Sequence, residues 1–162
     1  MKKPLIFISA LILLSMSFVS CDMIEKYSGE QKHSETGDAS SLETKDYDGA
    51  MITHISSSST SLTVKIENNT ESTWQSGNMR DYTLEVERDG QWYSVKQIGE
   101  MANTMELMIF SPGQMITHTF EFAERYGTLD AGKYRVVKSY WANRTATEDA
   151  HEFTLVCEFT VE

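Results

Sequence analysis

From residue 49 onward the chain alternates apolar and polar side chains with a period of two, and this pattern restricts the fold class more than any other feature. Ser61–Glu67 sets Leu62, Val64 and Ile66 on one side and Thr63, Lys65 and Glu67 on the other, which is how a half-buried strand reads. Tyr82, Leu84 and Val86 repeat the pattern, as do Ile116, His118, Phe120 and Phe122, and Tyr134–Trp141 and Glu152–Val161 add two more strands. Met51–Ile55 opens the series. Arg88-Asp89-Gly90-Gln91 turns one strand back onto Trp92–Lys96, because Asp89 and Gly90 supply the positive φ angles of a two-residue hairpin. Seven short strands with polar turns between them predict an all-β, antiparallel two-sheet β-sandwich. A parallel α/β arrangement would need crossover helices, and no segment carries a convincing helical period.

Two segments refine this reading. Leu129-Asp130-Ala131-Gly132-Lys133-Tyr134 has the spacing of a tyrosine corner, with Gly132 allowing the turn and the Tyr134 hydroxyl bonding back to upstream backbone. Both residues are assigned structural roles, as are Asp89 and Gly90. Gln97–Gly113 breaks the alternation and carries Met101, Met105 and Met108 at spacings of four and three, the trace of a short helical turn. Cys157 alternates with Phe153, Leu155, Phe159 and Val161 and reads as a small buried apolar side chain.

The N-terminus speaks of location. Met1-Lys2-Lys3 is basic and Leu5–Val19 is apolar apart from Ser9, Ser15 and Ser17, as in a secretory signal peptide. That run of 15 residues is short of the ~20 that span a membrane. It ends in Phe18-Val19-Ser20-Cys21, which resembles the lipobox of bacterial lipoproteins, with Phe18 in place of the usual Leu. The resemblance implies cleavage after residue 20 and diacylation of Cys21. Two acyl chains, at ~0.8 kcal/mol per buried methylene, anchor a protein stably. The expected location is the extracytoplasmic face of the cell membrane, held by lipid, with the membrane itself as the first partner. With Cys21 committed to lipid, Cys157 has no partner for an intrachain disulfide.

Residues 21–48 are rich in Ser, Glu, Lys, Asp, Thr and Gly and read as the lipidated end plus a flexible acidic linker that cannot form a core. Residues 49–162 then form the sandwich. The net charge is −10 and becomes −12 once Lys2 and Lys3 leave with the signal peptide. Such a chain has no cations to replace those released from a phosphate backbone, so nucleic acid is not an expected partner.

Arg88-Asp89-Gly90-Gln91-Trp92-Tyr93, Tyr126-Gly127 with Leu129, and Gly132-Lys133-Tyr134-Arg135-Val136-Val137-Lys138 resemble the bacterial Ig-like domains carried by lipoproteins of Firmicutes. The resemblance covers about residues 50 to 162. It implies an Ig-like sandwich and surface anchorage without any set catalytic chemistry. Unlike antibody domains, the chain lacks a cysteine pair across the sheets.

Nothing in the sequence assembles a catalytic or metal centre. There is no Gly-x-Ser-x-Gly elbow, His33, His54, His118 and His151 do not fall at metal-ligand spacing, and no glycine-rich loop precedes a helix. No cofactor is expected. Glu148, Asp149, His151 and Glu152 cluster near the last strand and read as a solvated loop. Binding is the better expectation, and two regions compete for it. Tyr140, Trp141 and Arg144 lie at the last connection between strands and are of the types enriched at interface hot spots; the alternative is that Tyr140 and Trp141 cap the core. Met101, Met105 and Met108 either form an adaptable contact surface or plug the open end of the sandwich. The expected role is that of a binding or accessory module, not an enzyme, directed at an envelope protein or a cell-wall polymer. A proteinase-inhibitor-like sandwich and a non-catalytic subunit of an envelope enzyme or sensor are the alternatives.

Overall fold

The computed structural model describes residues 33–99, 106–142 and 150–162. Among them are ten strands: β1 (Thr36–Ala39), β2 (Ala50–Ser57), β3 (Ser61–Asn68), β4 (Trp74–Ser76), β5 (Thr83–Arg88), β6 (Gln91–Val95), β7 (Met108–Phe110), β8 (Met115–Glu121), β9 (Gly132–Ala142) and β10 (His151–Val161). A single helical turn, α1 (Ala123–Tyr126), links β8 to β9. The seven strands read from alternation are all present. Three more, β1, β4 and β7, have only four, three and three residues, too few for a period to show.

The strands form two antiparallel sheets. In the larger, β9 pairs with β10 along its length and, on its other side, with β5 and β4; β6 and β1 follow β5, and β7 follows β4. The smaller sheet runs β2-β3-β8. Its inward residues Leu62, Val64 and Ile66 are fully buried. They face a second layer from the large sheet that includes Leu84, Val86, Tyr134, Val136, Tyr140, Phe153 and Phe159. Side chains from alternate positions of both sheets therefore make the core, as the period of two requires. Cys157 is buried and free, and burial raises its thiol pKa to about 11.

Local turn chemistry matches the sequence. Asp89 and Gly90 adopt φ of 52° and 79° between β5 and β6, and the Gly90 N–H is held by the Glu87 carboxylate at 2.5 Å. The Tyr134 hydroxyl donates to the Asp130 carbonyl at 2.8 Å, closing the tyrosine corner. Gly132 serves it differently than the spacing suggests. It has no left-handed φ, and a Cβ there would come within 3.1 Å of the movable end of the Arg88 side chain.

The linker boundary is corrected by the structure. Residues 33–48 are an ordered part of the domain, not a tether. Ser34 N–H bonds the Thr128 carbonyl, β1 pairs with the edge of β6, and Thr154 N–H bonds the Lys45 carbonyl at 2.8 Å. Tyr47 then stacks on Phe153 with ring centres 4.7 Å apart. The physical reason is that most of these contacts use backbone groups, which composition does not reveal. The described domain thus begins upstream of residue 49.

Candidate binding surfaces

The sequence candidates do not converge on one place. Tyr140 is fully buried. Its ring meets Trp74 edge-on at 5.0 Å and stacks on Phe153 at 5.5 Å. It is a core residue and not a contact residue, because β9 turns its even-numbered residues inward. Trp141, one position on, faces outward and is half-buried, paired in register with Gln75 and Glu152. Arg144, Met101 and Met105 lie outside the described residues. So do Glu148 and Asp149. Met108 lies on β7, not on a helix, half-buried against the core and opposite Ser76. Its chain neighbours Leu107 and Ile109 are exposed, at 56% and 52%.

On the outward face of the large sheet, Glu85 is 1% exposed and sits opposite Arg135 in register. The Arg135 Nε donates to the Glu85 carboxylate at 2.5 Å, and Ser40 from the ordered N-terminal segment donates to its other oxygen. Arg135 also lies 4.4 Å from the Trp92 ring centre. A cavity of about 840 Å³ opens nearby between residues 44–52, β10 and Arg135. Its walls are mainly polar or backbone, and no group of three or more metal-ligating side chains exists among the described residues.

A second cleft, of about 520 Å³, lies between the free edge of β8, the loop before β5 and α1. Met79, Tyr82 and Phe120 give it an apolar floor, and Arg80, Glu121, Glu124 and Arg125 rim it. His118 meets Phe120 edge-on at 4.7 Å, and burial holds its pKa below the ordinary 6.5, so it is neutral at pH 7. The Arg125 guanidinium lies 5.1 Å from the Tyr82 ring centre and donates to the Arg80 carbonyl at 2.6 Å. The Tyr82 hydroxyl donates to the Glu121 carbonyl at 2.8 Å, tying the loop to β8. Sequence reasoning missed this cleft because its walls come from two stretches far apart in the chain, residues 79–82 and 118–125.

Lys138 is the other residue it missed, although the signal was present. Lys138 shares the inward parity of Val136 and Tyr140 and is 2% exposed. Its ammonium donates to the carbonyls of Asn78 and Asp81 at 2.9 and 2.8 Å, pinning the loop that walls the cleft. Burial lowers its pKa from 10.5 to about 8. Between these values the folded protein binds fewer protons than the unfolded chain, so stability rises with pH. From pH 8 to 9 Lys138 contributes a gain of about 1 kcal/mol, of which Cys157 takes back a part, because its thiol already titrates in the unfolded chain over this range but only near 11 in the folded protein. Urea denaturation at the two pH values checks it, and Lys138→Met should abolish the rise.

Two facing antiparallel sheets and a tyrosine corner are the features of an Ig-like β-sandwich. A family model for the bacterial Ig-like domain matches residues 51–156, and the chain belongs to that family. No curated protein matches it.

Proposed function

We propose that this protein is a lipid-anchored extracytoplasmic lipoprotein, of the kind found in Firmicutes, whose Ig-like domain is a non-enzymatic binding or accessory module. The observation that carries the reading is Cys21 at the end of Phe18-Val19-Ser20-Cys21, directly after a basic and apolar leader. Membership of the bacterial Ig-like family supports a surface or accessory role. No described helix is long and apolar enough to cross a membrane, and lipid on Cys21 would supply the attachment. The ordered domain limits how far it stands from the bilayer. His33 bridges Thr128 at the end of the sandwich that carries the β2–β3 and β5–β6 turns. Only 11 residues separate it from Cys21, a reach of at most about 40 Å at full extension. Trp141, Ile109 and Met115 belong to the opposite half of the sandwich.

Metabolic labelling of the full chain with a radioactive fatty acid tests the anchor. Label should enter the protein and be lost completely in Cys21→Ser, with the variant moving from the membrane to the soluble fraction. Unlabelled protein, or label retained in Cys21→Ser, would defeat the proposal.

A further inference from the structure

Each sheet edge exposes a row of backbone donors and acceptors that invites another strand unless something blocks it. Most edges here are blocked. β2 carries a register shift between His54 and Ser56, β10 is met at Thr154 by Lys45, β1 is irregular between Thr36 and Ala39, and β7 has three residues. β8 is the exception. It pairs with β3 over seven positions without a shift, and its sequence, Met115-Ile116-Thr117-His118-Thr119-Phe120-Glu121, has no Pro, Gly, Lys or Arg.

The direction of its backbone groups follows from alternation. Asn68 N–H bonds the Gln114 carbonyl and Phe122 N–H bonds the Thr60 carbonyl, so even-numbered positions of both strands face each other. Met115, Thr117, Thr119 and Glu121 therefore turn their N–H and C=O groups outward. The Glu121 carbonyl does so visibly, since it accepts from Tyr82. The backbone groups of Thr117 and Thr119 have no partner among the described residues. The cleft floored by Met79, Tyr82 and Phe120 adjoins this same edge.

We propose that β8 is a strand-addition site for an extended peptide of another protein, which would lie beside it as a fourth strand and lower a large apolar side chain into the cleft. Main-chain bonds would provide affinity and the cleft selectivity, as in other strand-addition recognition. A second copy of this chain fits less well. It could offer the same edge, but its inward Phe120 is committed to its own core at 1% exposure, so the cleft would stay empty. The inference rests on reading the domain as a binding module, and not on its anchor.

The test uses the detergent-solubilised full chain and a fluorescent nine-residue probe peptide of alternating Thr and Val with one central Phe. Anisotropy should show saturable binding. It should weaken about tenfold or more, at least ~1.4 kcal/mol, when the probe's alternate amides are N-methylated on the edge facing β8, and likewise when its Phe is replaced by Gly. Thr117→Pro should have the same effect while keeping the fold, because Pro is tolerated where the N–H of an edge strand points outward. Equal binding of the methylated probe, or no saturation up to about 1 mM, would overturn the proposal. So would self-association of the chain that Thr117→Pro abolishes and the probe cannot compete. Repeating the titration with Cys21→Ser separates this result from the anchor, since peptide binding should not change.

Discussion

Trp74→Ala should lower folding stability by about 3–5 kcal/mol, the range for removing a large buried aromatic ring. Trp74 is fully buried at the junction of four rings, stacked on Phe110 at 4.8 Å and meeting Tyr140 and Phe153 edge-on at 5.0 and 5.2 Å. The cavity would lie where β4 bridges β7 and β9. A strand of three residues has little backbone pairing of its own, so the ring is its main attachment. Trp74→Phe should cost far less, because it keeps the aromatic contacts and removes an indole N–H that has no hydrogen-bond partner. Urea denaturation of both variants checks the contrast; equal losses would show that the ring does not hold β4.

Arg135→Met should cost about 3–5 kcal/mol, the penalty for leaving a buried carboxylate without its cation. Glu85 is 1% exposed and Arg135 13%. The expected loss is therefore of a different order from that of the exposed pairs, such as Lys96–Glu35 with side chains 59% and 65% exposed, where such bridges are worth about 0–1 kcal/mol. The double variant Glu85→Met/Arg135→Met should recover most of the stability, since two apolar side chains in register leave no charge behind. If the double variant were as unstable as the single one, the loss would come from the Arg135 guanidinium stacked on Trp92 and not from the orphaned carboxylate. The same substitution should leave peptide binding at β8 intact, because Arg135 belongs to the other sheet.

Much of the fold was legible because burial on one face of a strand repeats every second residue. Leu62, Val64 and Ile66 show this, as do the Asp89-Gly90 hairpin and the tyrosine corner at Tyr134. Parity also marked its own exceptions. Lys138 falls on the inward side of β9 and Tyr140 with it, so the structure moves Tyr140 from the contact candidates into the core and puts a lysine at the core's margin. Glu85, by contrast, has the outward parity of a solvated carboxylate. It is buried only because Arg135 lies opposite and Ser40 arrives from a segment that composition assigns to a linker.

The order of apolar and polar residues along the chain was sufficient for the strands, for the two-layer architecture and for the expectation of an anchor at Cys21, since each depends on neighbours in sequence. Which edge stays open, where the cleft lies and where the ordered domain begins depended on pairings between distant segments. Those pairings are made largely by backbone N–H and C=O groups, which are the same in every residue but proline and leave no mark in a sequence.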